Sequence, residues 1–391
     1  MPDEFTEVVH TGYFSRIGNA IFGVLFGVVF FVAAIALLFW NEGRAVHTAK
    51  MLREGAASVI SVSADSMEPP NDGKLVHFTG SASGEKLTDP LFHTSADGIQ
   101  LSRVVQMYQW KETEKVGSQS DNIGGGQTSR KTYTYDKIWS ADLIDSSNFH
   151  EKEYVNPRTM RVTGSKWAAS QVKVGAFSLP PELINRVDNY GLLPLSDTNL
   201  EQLPHDLQGD AAISNGLCYI SGQSRRTVNP GEPQIGDLKV SVNLAPPGPV
   251  SVVARQTGNS LDGYPTRAGG TLELLYVGNH PASEMFATEQ RHNSQLSWIL
   301  RGVGFVVVWF GLLLILNPLA VAADVVGIIG RIVGSGIAVV SFLVAVTLSS
   351  ITVAVAWIVY RPLIGIAMLA VATSAVIFLI TRSRKLALVR S

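Results

Sequence analysis

The chain has 391 residues, with 31 Lys and Arg against 32 Asp and Glu and a formal net charge of −1 at pH 7. So even a balance supplies no bulk field to gather nucleic acid, and no stretch interleaves basic with aromatic side chains, so no nucleic-acid partner is expected. The one cysteine, Cys218, excludes an internal disulfide and a cysteine-rich metal site. Lying between Leu217 and Tyr219, it reads as a small buried strand residue in preference to a reactive thiol.

In chain order, residues 1–16 form a short N-terminal segment that carries Asp3, Glu4 and Glu7. Residues 17–40 contain no charged side chain and, at about 1.5 Å per residue, are long enough to cross a hydrocarbon core of roughly 30 Å. Acidic residues precede this run and Phe39, Trp40, Asn41 and Glu42 close it, so it reads as a retained anchor and not a cleaved signal peptide. Within it, Gly23 and Gly27 have the four-residue spacing that lets two helix backbones approach, inside one chain or between copies. Asn41, Glu42, Gly43 and Arg44 follow at the membrane edge, where a charge pair is less screened than in water and Gly43 permits a turn. They are expected to dock the following domain onto the spans, or to bind a partner or a lipid headgroup.

Residues 41–298 alternate apolar and polar positions between Gly, Pro, Asn and Asp, which predicts a β-rich domain. Strands are expected over 57–64, 74–79, 101–110, 131–139, 217–221, 237–243, 250–255 and 271–277. Residues 117–130, with Gly124, Gly125 and Gly126, read as a hairpin loop; no Gly-Lys-Ser/Thr follows to make a phosphate loop. Helices are expected over 180–190 and, polar in character, over 284–301. The stretch 73–80 resembles 215–222 with Leu75 on Leu217, and each is followed by an acidic-Pro pair, which suggests two similar OB-like or β-barrel units.

Only Asp324, Arg331 and Arg361 interrupt the apolar run from 302 to 380. They divide the C-terminal part into spans over 299–323, 332–360 and 362–381, with a break expected near Asn317 and Pro318. Gly330 and Gly334 repeat the small-residue spacing, and Tyr360, Arg361 and Pro362 read as an interfacial turn. Thr347, Ser349, Ser350 and Thr352 lie in mid-membrane, where bonding back to their own helix is favoured over lining a polar path. The tail 382–391, with Arg382, Arg384, Lys385 and Arg390, is a cytoplasmic signature. Four crossings then place 1–16 in the cytoplasm too and 41–298 outside it. Arg44, Lys50, Arg53 and Arg301 oppose that assignment, but they flank a long segment, which translocates with less regard to charge. The fold class expected is a membrane protein with four transmembrane helices, one N-terminal and three C-terminal, and a large β-rich extramembrane domain.

The stretch from Asn41 to Ala49 resembles the LUMA (transmembrane protein 43) family. The resemblance continues through Asp89-Pro90-Leu91-Phe92, Met107-Tyr108-Gln109-Trp110, Tyr133-Thr134-Tyr135 and Trp139. It extends through Asn156-Pro157, Gly236-Asp237-Leu238, the run from Val252 to Gln256, Glu284-Met285-Phe286 and Tyr360-Arg361-Pro362-Leu363, in order along nearly the whole chain. It implies one N-terminal span, a lumenal domain and three C-terminal spans. It also implies a scaffold of endoplasmic reticulum and inner nuclear membrane that self-associates and binds other membrane proteins, with no enzymatic activity. If the chain is bacterial, the membrane is the cytoplasmic one.

The eight histidines are scattered, without His-x-x-x-His spacing or an adjacent carboxylate in a ligand pattern, and no Gly-x-Ser-x-Gly elbow occurs. No catalytic residue, cofactor or metal is therefore assigned. The reading is a multi-pass scaffold whose partners are membrane lipids, other membrane proteins and further copies of itself. The alternatives are a channel or transporter subunit and, behind it, a hydrolase of envelope lipids or glycans. A channel would be expected to carry an ionisable group at depth, and none lies between Ile332 and Tyr360.

Overall fold

The computed structural model describes residues 3–121, 126–325, 327–362 and 367. The fourth expected span lies outside these residues except at 362 and 367, and the basic tail lies wholly outside them. The chain divides into a β-rich unit (Met1–Glu7, Arg53–Val116 and Arg130–Ala287) and a helical unit (Val8–Leu52, Gly117–Ser129 and Thr288–Ser391).

The principal strands are β1 (Asp3–Thr11), β2 (Leu75–Ser83), β3 (Gln100–Ser120), β4 (Gln127–Ser140), β5 (Val172–Val174) and β6 (Phe177–Leu179). They continue with β7 (Ala211–Ser214), β8 (Leu217–Ile220), β9 (Leu238–Ala245), β10 (Gly248–Thr257), β11 (Ser260–Asp262) and β12 (Leu274–Val277). In one sheet β10, β11, β6, β5 and β2 pair in turn, and β2 pairs back onto β10, so five strands close a barrel. Closure leaves no unpaired edge within the ring. Phe78 of β2 and Phe177 of β6 stack with centroids 4.3 Å apart, among buried Val76, Val172, Val174, Val252 and Ala254. The second sheet has eight strands, in the order β1-β4-β3-β9-β8-β7, with Ser165–Ala168 on β3 and Gly191–Leu193 on β9. In β9, Leu238, Val240 and Val242 are fully buried while Lys239 and Ser241 are not, the period-2 alternation of a strand with one covered face.

Several expectations are corrected. The two resembling stretches fall in β2 of the barrel and β8 of the open sheet, so among the described residues there is one closed barrel and no pair of equivalent units. Their likeness is the alternation any half-buried strand shows. The strand expected over 57–64 is helical to Ser58, with only Ile60–Ser61 extended. The helix expected over 180–190 is a single turn, Pro181–Ile184. Within residues 1–16, where the sequence led to no expected element, lies a strand. Asp3–Thr11 is an edge strand on β4, and Phe5 packs edge-on against Tyr135 and Tyr154 at 5.9 and 6.2 Å. Burying an aromatic ring at an otherwise open edge is the reason.

The helical unit contains most of three long helices: α1 (Tyr13–Ser58), α2 (Ala282–Ala323) and α3 (Gly327–Tyr360). All three are long and apolar enough to cross a membrane. The expected polar helix over 284–301 and the second span are one element, α2. The break expected at Asn317 and Pro318 does not occur; α2 runs through Pro318 to Ala323. Proline forfeits one backbone bond there, a loss membrane helices tolerate.

The helices meet through small residues. A Cβ on Gly27 of α1 would come within 2.8 Å of the Gly311 carbonyl oxygen of α2, and one on Gly311 within 2.9 Å of the Gly27 oxygen. Ala34, Leu38, Val308 and Ala345 form the buried centre. Trp309 of α2 donates to the Ala338 carbonyl of α3 at 3.2 Å. Around this centre Ile21, Phe22, Leu25, Val306, Val339 and Leu343 stay exposed. Such a surface is stable facing hydrocarbon and not water.

Candidate functional site

Glu42 lies one turn beyond Leu38 on α1 and is fully buried. Its carboxylate accepts two bonds from Arg301 of α2, Nε to Oε1 at 2.6 Å and Nη2 to Oε2 at 2.9 Å. It accepts a third from Trp357 Nε1 of α3 at 2.7 Å. One carboxylate thus ties all three helices. The Arg301 guanidinium also lies 4.6 Å from the Trp298 ring and 5.7 Å from that of Trp357. A fork-shaped cation is suited to meeting a carboxylate edge-on while stacking on indoles.

The neighbouring residues extend this seam. Asn41 donates to the Ser297 carbonyl at 3.1 Å. Arg44 donates to Asn293 Oδ1 at 3.0 Å and to Asn41 Oδ1 at 3.2 Å, and Asn293 donates to the Ala45 carbonyl at 2.9 Å. The charge pair within this segment is therefore not Glu42 with Arg44; Glu42 is claimed by Arg301. Gly43 makes no turn, since α1 is helical through it. Its use is steric: a Cβ there would come 2.7 Å from the Tyr360 ring. Tyr360 ends α3 and also packs on Phe39 at 5.3 Å. Arg361 donates its backbone N–H to the Trp357 carbonyl at 2.7 Å and holds its guanidinium 5.9 Å from the Trp357 ring. Pro362 is exposed.

A second clasp closes the other end of the α1–α2 pair. Arg16 Nη1 meets Asp324 Oδ2 at 2.7 Å, with side chains only 12 and 7 % exposed. Gly330 packs directly against Asp324, whereas Gly334 has no atom near its absent Cβ, and Gly23 only approaches Leu314. The two clasps are 26 residues apart on α1 and 23 on α2, about 39 and 35 Å at the helical rise, close to a hydrocarbon core of roughly 30 Å. Charge therefore marks both ends of the apolar length and is absent from its middle.

Of the four mid-membrane hydroxyls, Thr347 donates to the Leu343 carbonyl at 2.9 Å and Thr352 to that of Leu348 at 2.8 Å. Ser349, 8 % exposed, has no hydrogen-bond partner among the described residues. In the β-rich unit, burial pushes the Cys218 thiol up to about 12. Tyr135 is also pushed up to about 12, by burial and by its 2.5 Å bond to Glu112. A depression of about 550 Å³ there is lined by Asp145, Lys152 and Arg158 among others. It has one carboxylate where a glycan or lipid hydrolase would converge two. Among the described residues no three His, Cys, Asp or Glu side chains gather as a metal site.

Sequence reasoning marked Asn41–Arg44 and Tyr360–Pro362 but not their partners Asn293, Ser297, Arg301 and Trp357. The available signal was Arg301, a cation at the edge of an apolar run, counted only for membrane orientation.

Three apolar helices tied together by Glu42, in a chain that also forms a β-rich domain containing a closed barrel, define an integral membrane protein with a large extramembrane domain. The family described as Transmembrane protein 43 matches residues 107–362. The chain is 35 % identical to Transmembrane protein 43 of Rattus norvegicus over 90 % of its length and 88 % of the relative's. The same identity and coverage hold for the Homo sapiens protein. It is 32 % identical to the Drosophila melanogaster homolog over 88 % of this chain and 90 % of that one. The chain belongs to the transmembrane protein 43 family. No solved structure matches it.

Proposed function

We propose that the chain is a membrane scaffold: a clasped helical platform that holds its β-rich domain for recognition of other membrane proteins and that assembles with further copies of itself. The observation that carries this reading is the Glu42–Arg301–Trp357 knot. The strongest polar chemistry of the helical unit fixes helix against helix instead of lining a path. A channel or transporter subunit is less well supported, because Thr347 and Thr352 turn their hydroxyls back to their own helix.

Gly27 is taken up inside the chain by Gly311, so association between copies runs through another face. The open position at Gly334 supports α3 as that face. The test is the mass of the detergent-extracted complex by light scattering, wild type beside Gly334→Leu. A defined oligomer that falls apart in the variant is expected. A monomer in both would end the self-association reading and leave hetero-partners of the β-rich domain.

A further inference from the structure

We propose that the groove bounded by α1, α2 and α3 beside the Glu42 knot is a binding site for an anionic phospholipid. The inference goes beyond the scaffold reading and does not depend on it; it needs only that the helices lie in a membrane. The groove holds about 410 Å³. Its walls are Leu38 of α1, Phe305 of α2 and Val346, Val353 and Ala354 of α3, an apolar channel suited to an acyl chain. Its mouth is Trp298, Arg301 and Trp357. Indole rings of this kind favour the level where chains give way to headgroups.

Charge selects the headgroup. Arg301 and Arg361 both lie within 6 Å of the Trp357 ring, and the carboxylate bonded to that indole is Glu42. Glu42 is committed to Arg301. Arg361 holds its guanidinium 5.9 Å from the ring of Trp357, a residue of the mouth, and among the described residues no carboxylate lies within ion-pair distance of it. A phosphodiester with a net negative charge supplies the missing counter-ion, and a zwitterionic lipid supplies it less well. Among the described residues the groove wall is also not closed by protein. Ser349 lines it with a buried hydroxyl that has no partner among the described residues, although threonines two residues before and three after it satisfy theirs on the helix backbone.

The experiment uses the full chain, purified in detergent, stripped of lipid and offered equal phosphatidylglycerol and phosphatidylcholine. Retained lipid is then measured by mass spectrometry. Preferential retention of phosphatidylglycerol is expected. Arg361→Gln should lower that preference about fivefold. Ala354→Phe, on an exposed helix face, should fill the groove and reduce retention of both lipids. Neither variant touches the Glu42 bonds, and unchanged helical content checks folding. Equal retention of the two lipids by the wild type would overturn the site. So would a preference indifferent to Arg361→Gln, or retention indifferent to Ala354→Phe. A disulfide from Ser350→Cys to a cysteine introduced within 363–380 would place the chain's own C-terminal segment in the groove, and would also overturn it.

Discussion

Removing the Glu42 carboxylate leaves the Arg301 guanidinium among indole rings and aliphatic side chains, with 18 % of its side chain exposed. Glu42→Gln keeps the volume and still offers an acceptor to Trp357, so the loss is that of the charge. Breaking a buried pair by deleting one partner costs about 3–5 kcal/mol, because the survivor remains desolvated and uncompensated. Arg301→Met, which keeps the aliphatic stem, should cost a similar amount by stranding the carboxylate. The double variant strands neither charge. Its loss should therefore be about 2–3 kcal/mol smaller than the sum of the singles. Unfolding in mixed micelles, followed by helical circular dichroism, measures all three. Bulk salt should change the coupling little, since the pair is shielded from water. Additive losses, within about 0.5 kcal/mol, would refute the claim that these two charges hold the helices together.

Gly27→Leu should destabilise the helical unit by about 1–3 kcal/mol through overpacking against Gly311, while Gly334→Leu leaves monomer stability unchanged; the same micelle titration separates them. Cys218, buried and with its thiol at about 12, should resist alkylation at pH 8, where on the order of one part in 10⁴ would be thiolate, and should react fully once the chain is unfolded. Mass spectrometry after iodoacetamide treatment reads this directly, and rapid labelling of the folded protein would contradict the burial.

Hydropathy alone located the three described apolar helices, because twenty or so consecutive uncharged residues are a local property that no tertiary contact need supply. The strands β3, β4, β9 and β10 were legible for the same reason: alternation in 101–110 or 237–243 is written into neighbouring residues. The sequence also singled out Asn41–Arg44 and Tyr360–Pro362 through charge and aromatic chemistry at the ends of apolar runs. It did not show that α1 continues unbroken to Ser58, since polar residues after Trp40 reset the hydropathy without ending the helix. Nor was β1 recognised, though Thr6, Val8, Val9 and Thr11 are β-branched, because an edge strand beside a long span carries few apolar residues of its own. Which cation answers Glu42 was beyond local reading. Arg44 is two residues away but lies along the seam toward Asn293, whereas Arg301, 259 residues distant in sequence, is brought onto the carboxylate by the antiparallel packing of α2 on α1. Composition and periodicity thus determined which segments are apolar helix and which are strand. Only the tertiary structure decided which charges meet and which glycines are occupied, because those depend on the register of elements far apart in the chain.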